Sequence, residues 1–393
     1  MKLALVHDWL TGMRGGEKCL APLCRRFPDA ELFTLLHARG RLSPEIERMR
    51  INTSFLQRLP WIKRHYRYWL PAMPRAIESF RLPADVDLVV SFSHAVAKGV
   101  RPPPGVPHVC YCFTPMRYVW QLRGDYFAAE AGEEPSPLFS VLDLPRRTLF
   151  SARDQLLDRI REWDKATSHR VTHYVAISRT VAQRISECYD RASQVVYPPV
   201  DTDFFTPAPL PREEFYLCVS ALVPYKKIEL AIEACRRLAR PLVVIGSGPE
   251  ARRLKKMAGR HAQFLGWQSD EAIRDHLRRC RALIFPGQED FGIVPVEAQA
   301  CGAPVVAYGR GGVTETVTAA DEKRVGSGVF FAEQTADSLV DALRWAEAHP
   351  QQLSSSLARK QAMRFNADRY ERELIGLLEA AAGGRVGGLK RAA

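Results

Sequence analysis

One stretch constrains the fold of this chain more than any other: Phe285 to Glu297, FPGQEDFGIVPVE, continuing as AQACGAPVVAYGRGG to Gly312. Ala282-Leu283-Ile284-Phe285 is a short apolar run with strand character, broken by Pro286-Gly287. A helix is predicted from about Gly292 and a second strand over Pro304-Val305-Val306-Ala307, followed by the flexible Gly309-Arg310-Gly311-Gly312. Strand, loop, helix and strand in that order form one unit of a parallel α/β sheet. Ligands of such sheets sit outside the carboxyl ends of the strands.

The charges in this stretch are informative. Glu289 and Asp290 fall in the loop, and Glu297 falls inside the helix. Five residues past Gly292 is roughly 7.5 Å along a helix axis. The first N–H groups of a helix are unpaired and lie at its positive end, a seat for a diphosphate. A carboxylate that far along reaches the ribose hydroxyls of the same nucleotide, and Glu289 faces whatever the diphosphate carries. Two solvated glutamates on a surface helix would show the same bare spacing. The flanking Phe291-Gly292, the apolar strands and Gly311-Gly312 favour the ligand reading.

FPGQEDFGIVPVEAQACGAPVVAYGRGGVTETV resembles the donor-binding motif of retaining glycosyltransferase family 4, which has the GT-B fold. MKLALVHDWLTGMRGGEK, SHAVAKGV, CYCFTPMRY, YPPVDTDFF, SALVPYKKIELAIEA and VVIGSGPE are similar to landmarks of one bacterial subgroup, mannosyltransferase-like proteins of lipopolysaccharide and exopolysaccharide assembly. The resemblance implies two Rossmann-like domains facing a cleft, with a C-terminal helix crossing back to the first domain. Residues 1–205 would form the acceptor-side domain, 206–365 the nucleotide-sugar domain, 366–382 the crossing helix and 383–393 a disordered tail.

The same resemblance implies transfer of a sugar, with retention, to a hydroxyl of a glycan or lipid-linked glycan. Mannose from GDP-mannose is the leading reading; a UDP-sugar donor and a non-catalytic GT-B binder of glycan or nucleotide are the alternatives. Glu289 would hold the sugar hydroxyls and Glu297 the ribose. Lys226, Lys227 and the helix start at Gly292–Ile293 would hold the diphosphate, with Gly15, Gly16, Gly311 and Gly312 close to the donor. His94 and Arg117 stand at strand ends that would line the same cleft. Phe113 stands where relatives usually carry histidine, and Ala221 where most carry arginine. No cofactor or metal is expected, because fixed cations and helix dipoles offset the charge on the leaving nucleotide.

Composition agrees with this class. A chain of 393 residues suggests two to three domains, and 46% apolar content supplies their cores. A formal charge of +12 favours anionic partners: nucleotide diphosphates, phospholipid surfaces or nucleic acid. Lys2 is followed by only a short apolar run before His7 and Asp8, and no apolar run has membrane-spanning length. A cytoplasmic protein, soluble or peripheral on the inner face of the membrane, is expected. Of nine cysteines, Cys218, Cys235, Cys280 and Cys301 read as small buried thiols. Cys110 and Cys112 share a strand face, but no second Cys/His pair at ligand spacing supports a metal.

The first strand is predicted over Lys2–Val6, followed by a loop with Gly12, Gly15 and Gly16. That loop lacks G-x-G-x-x-G, which argues against a nicotinamide dehydrogenase. Arg58 to Arg81 is basic and aromatic, with Trp61, Lys63, Arg64, Tyr66, Arg67, Tyr68 and Trp69 interleaved. It suits either an interfacial segment on anionic lipid or an ordinary helix pair with its aromatics in the core. Nucleic acid is a poorer partner, since no known binding module surrounds the run. Glu130–Pro137 reads as a polar loop, Ser178 as a helix cap, and Thr206–Pro211 as the linker.

Overall fold

The computed structural model describes residues 1–60, 62, 66–121 and 146–383, with the backbone alone at 67, 68 and 146–153. The chain divides into two compact units, Met1–Tyr197 with Glu371–Ala393, and Pro198–Tyr370.

The first unit is built on seven parallel strands: β1 (Leu3–His7), β2 (Glu31–Thr34), β3 (Arg50–Thr53), β4 (Leu88–Ser93), β5 (His108–Cys112), β6 (His173–Ala176) and β7 (Ser193–Val195). Their order is β3-β2-β1-β4-β5-β6-β7. β1, β4 and β5 are buried at every position, as continuous apolar runs covered on both faces must be. The second unit holds β8 (Tyr216–Val219), β9 (Leu242–Ile245), β10 (Ala262–Gly266), β11 (Ala282–Phe285), β12 (Val305–Tyr308) and β13 (Gly328–Phe331). Their order is β10-β9-β8-β11-β12-β13, again all parallel. Counted from its own first strand, each sheet contains the order 3-2-1-4-5-6 of a doubly wound fold. The order reverses between β1 and β4 in one sheet and between β8 and β11 in the other. A crevice for ligands opens at such reversals, above the strands' carboxyl ends.

The units divide at Tyr197/Pro198 and Tyr370/Glu371, not at the expected 205/206 and 365/366. The reason is local hydrogen bonding. The Val200 amide donates to Phe365 O at 2.8 Å, and the Arg359 guanidinium donates to Thr202 O and Phe205 O, both at 2.8 Å. The segment read as the end of the first domain is thereby tied to the second. The last helix, expected over 366–382, runs from Ala367 to Ala382. Its residues from Glu371 belong to the first unit, where Arg25 pairs with Glu371.

The basic and aromatic run builds core. Tyr66, Leu70, Met73, Ala76 and Ile77 are buried, Trp69 and Phe80 pack against them, and Arg58, Arg75 and Arg81 are exposed. Its one acid, Glu78, accepts from Trp163, Arg101 and Arg170. Trp61, Lys63, Arg64 and the side chains of Arg67 and Tyr68 lie outside the described residues, as do the Glu130–Pro137 loop and the tail beyond Gly383. Ser178 caps the helix Arg179–Tyr189, its Oγ accepting from the Val181 amide at 3.1 Å. All nine cysteines are buried free thiols. Among the described residues no helix is long and apolar enough to cross a membrane.

Candidate functional site

At the reversal between β8 and β11 the structure brings together two residues from separate strand ends, Lys226 and Glu289. They form an ion pair with side chains 14% and 24% exposed. Lys226 closes a one-turn 3-10 helix, Pro224–Lys226, after β8. Lys227 follows at φ 54°, a left-handed conformation rare for a side-chain-bearing residue, and N-caps the helix Ile228–Arg237. Glu289 lies in the loop after β11. With Ser220 and Gly287 the pair lines an open depression floored by Cys218, Ile228, Ile284 and Phe285, with about 200 Å³ of non-atom space partly continuous with solvent.

The glycines here are required by close backbone approach. A Cβ on Gly287 would lie 3.0 Å from Lys226 Cα. Gly311, at φ 80°, would place one 2.4 Å from Glu289 O, and Gly312 one 2.3 Å from Asp290 O. The Gly312 amide donates to Glu289 O at 2.8 Å, and Gln334 Nε2 donates to Pro286 O at 2.9 Å. The loop carrying Glu289 is thus clasped by backbone at Lys226 and at Gly311–Gly312 and by the Gln334 side chain. A larger residue at Gly311 or Gly312 would push the loop away from Lys226.

The predicted helix is Ile293–Ala300, with Gly292 at φ 85° as its N-cap. Pro295 is tolerated because it lies in the first turn, where amides have no intrahelical partner. Glu297, 6% exposed, lies four residues past Ile293, roughly 6 Å along the axis. Gln299 on the same helix donates to Pro295 O and to Thr316 O, which ties the helix to the segment after Gly312. Among the described residues, no group of three or more His, Cys, Asp or Glu side chains is placed to hold a metal ion.

The other expected residues belong to the first unit. Gly15 and Gly16 open the helix Gly15–Arg26, two residues earlier than predicted. A Cβ on Gly16 would meet His7 Nε2 at 3.2 Å and the Phe113 ring at 3.4 Å, so this glycine keeps the helix start close to the sheet. Arg117 is the first residue of the short helix Arg117–Trp120. His94 follows β4, its ring edge-on to Trp9 at 4.5 Å and 6.2 Å from that of Phe113.

What organises this second reversal is a residue that sequence reasoning passed over. Asp8, fully buried after β1, accepts the amides of His94, Ala95, Val96 and Ala97 at 2.7–2.9 Å. It also pairs with His94 Nδ1 at 2.9 Å. Burial alone would raise its pKa, but the imidazole and the backbone donors outweigh burial and hold it at about 2. The signal was present, since a carboxylate ending a buried apolar strand needs donors. His7 Nδ1 is 3.1 Å from Trp9 O, so it carries the proton, and burial holds the His7 pKa below its usual value.

Residues 200–364 match the family model of Glycosyl transferases group 1. A GDP-mannose-dependent alpha-(1-6)-phosphatidylinositol monomannoside mannosyltransferase of Mycobacterium tuberculosis is 30% identical over 172 residues, covering 36% of this chain and 45% of that protein. The chain spans less than half the length of the curated relatives it matches first. Among solved structures, sucrose-phosphate synthase from Thermosynechococcus elongatus aligns with a TM-score of 0.72, covering 98% of this chain and 100% of that one at 16% identity. Anabaena HepE, solved with UDP and glucose, aligns at 0.67 over 97% of this chain and 100% of its own, also at 16% identity. The chain's fold, two parallel-sheet α/β units, is therefore the GT-B fold. Residues 200–364 are the part whose sequence is shared with group 1 glycosyl transferases.

Proposed function

We propose that this chain is a retaining glycosyltransferase that moves mannose from GDP-mannose to a hydroxyl of a glycan or lipid-linked glycan. The carrying observation is the Lys226–Glu289 pair, partly buried in the lining of a depression at the sheet reversal of the unit that matches the group 1 family. A diphosphate arriving there competes with Glu289 for the Lys226 ammonium. It releases the carboxylate to accept hydrogen bonds from the sugar that the diphosphate carries. The helix start at Ile293 supplies amides and a positive dipole end to the same phosphates, and Glu297 takes the ribose hydroxyls.

Charge building on the leaving nucleotide is met by Lys226, Lys227 and that dipole, so the reading needs no metal. Ala221 is exposed and offers no second cation at its position. No side chain is assigned as a covalent nucleophile; the leaving phosphate takes the acceptor's proton. His94 and Arg117 are assigned to the substrate from the first unit. The choice of GDP-mannose is supported by the mycobacterial relative's specificity and by the subgroup resemblance. The same resemblance supports a place in surface-polysaccharide assembly on the inner face of the membrane.

The test is a thermal-shift panel of nucleotides and sugar nucleotides, followed by a transfer assay with the best binder. GDP and GDP-mannose should stabilise the protein most. A larger shift with UDP-sugars would move the reading to that donor class. Stabilisation without turnover on any acceptor would leave a binding protein.

A further inference from the structure

Beneath the first unit's candidate residues lies a buried ion pair that the proposed chemistry does not use. Lys98, in the SHAVAKGV motif, and Asp164, in the helix Arg146–Ala166, have side chains 2% and 0% exposed, with Nζ 3.0 Å from Oδ1. Lys98 Nζ also donates to Asp164 O at 2.5 Å and to Thr167 Oγ1 at 3.3 Å, and lies 4.6 Å from the Tyr189 ring centre. The other carboxylate oxygen, Oδ2, accepts from the Trp120 indole at 2.8 Å and the Tyr189 hydroxyl at 2.7 Å.

Two candidate substrate residues hang from this pair. His94 begins the turn whose amides from 94 to 97 close on Asp8, and the Lys98 side chain anchors the far end of that turn. Arg117 opens the single helical turn that ends in Trp120, the indole donor. A buried ion pair gains little stability over apolar side chains of the same volume, because both charges must be desolvated. What it supplies is direction. Each ammonium and carboxylate contact has one geometry, where apolar packing would tolerate several.

We propose that Lys98 and Asp164 are positioning residues: together they hold the His94 turn and the Arg117 helix in one fixed arrangement for the substrate. The proposal rests on the transferase reading of His94 and Arg117, and two readouts keep the two ideas separable.

Two variants test it. Trp120→Phe removes the indole hydrogen bond to Asp164, keeps an aromatic ring against Tyr189 and Arg161, and leaves the ion pair whole. Lys98→Met with Asp164→Leu removes both charges together, so no unpaired charge remains to unfold the protein. In Trp120→Phe, amide exchange over residues 117–121 should speed up about tenfold while residues 94–98 stay unchanged. In the double variant both segments should speed up. In each, kcat should fall about tenfold or more with nucleotide affinity near wild type; Tm should also fall in the double variant, where the Trp120 indole and the Tyr189 hydroxyl lose their acceptor.

Unchanged exchange over 117–121 in both variants would overturn the proposal. So would faster exchange with wild-type kcat, which would make the pair structural only. Should the wild-type protein transfer no sugar, the transferase reading fails alone, and exchange still decides whether the pair fixes the two segments.

Discussion

The two sheets reverse their strand order in the same way and place an acid at each reversal, yet the two acids are in opposite situations. Asp8 is fully buried and every donor near it comes from the protein: four consecutive amides and an imidazole. Glu289 is 24% exposed and its charged partner, Lys226, lies open to the same depression. A carboxylate satisfied by its own backbone shapes a turn and has no capacity left for a ligand. A carboxylate held by one cation in the lining of a depression can be exchanged for a phosphate. The same topology therefore yields a structural clamp in one unit and an exchangeable charge pair in the other. The difference is decided by who supplies the hydrogen bonds.

The sharpest way to break this contrast is to remove each acid and ask what is lost. Glu289→Ala should lower the transfer rate by roughly 100- to 1000-fold, the scale for losing one charged contact to the reacting sugar. Its effect on stability should stay under about 1 kcal/mol, because a partly exposed ion pair contributes little. Nucleotide affinity should stay near wild type, as read by titration calorimetry. A variant with normal turnover would remove Glu289 from the site.

Asp8→Ala should do the reverse. Four buried amides and an imidazole lose their acceptor, which costs at least about 3 kcal/mol of stability. Urea unfolding reads this directly. The donor nucleotide should still bind, since Lys226, Lys227, the helix start at Ile293 and Glu297 lie in the other unit. If Asp8→Ala left stability unchanged, the clamp reading of the first reversal would fail.

How far the sequence disclosed this contrast follows from the kind of signal each side emits. In the second unit the strand–loop–helix–strand architecture was legible, because Gly287, Glu289, Gly292, Glu297, Gly311 and Gly312 fall within one short stretch of chain. The pairing of Glu289 with Lys226 from the β8 end was not, since only the adjacency of β8 and β11 brings the two together. Strands with unbroken apolar runs, such as β1, β11 and β12, were legible. β3 and β7 were not, since RINT and SQV are short, polar edge strands with no buried face to impose a pattern.

Asp8 was missed because its partners lie 86 to 89 residues away. Only the parallel pairing of β1 with β4 brings them together. The domain boundary was misplaced for a similar reason. Pro207, Pro209 and Pro211 make 206–211 look like a linker, whereas the actual transfer between units precedes Val200, whose amide bonds Phe365. The basic and aromatic run reads ambiguously for a different cause. An amphipathic segment shows the same periodicity whether its apolar face meets lipid or a sheet.

Acid separates the two units by a smaller effect. His108, on β5, is buried; its Nε2 lies 2.8 Å from Ser91 Oγ and its Nδ1 3.2 Å from Arg170 O. Burial lowers its pKa from 6.5 to about 4. Between those values the unfolded chain binds a proton that the folded chain refuses, so stability must fall as pH falls. The slope is about 1.4 kcal/mol per pH unit for one such group. His7 and His173 are shifted the same way by burial, and they too belong to the first unit. Asp8 acts later: its stabilisation is complete above 3.8 and is lost only as pH falls toward about 2. Mild acid, from pH 6.5 to 4, should therefore lower the amide protection factors in β4 and β5 well before Asp8 protonates. His108→Gln, which keeps a donor and an acceptor but cannot charge, should flatten that part of the profile. If the variant loses protection with pH as steeply as wild type, the buried imidazole is not the source of the acid sensitivity, and the first unit's dependence on internal hydrogen bonds would have to be located elsewhere.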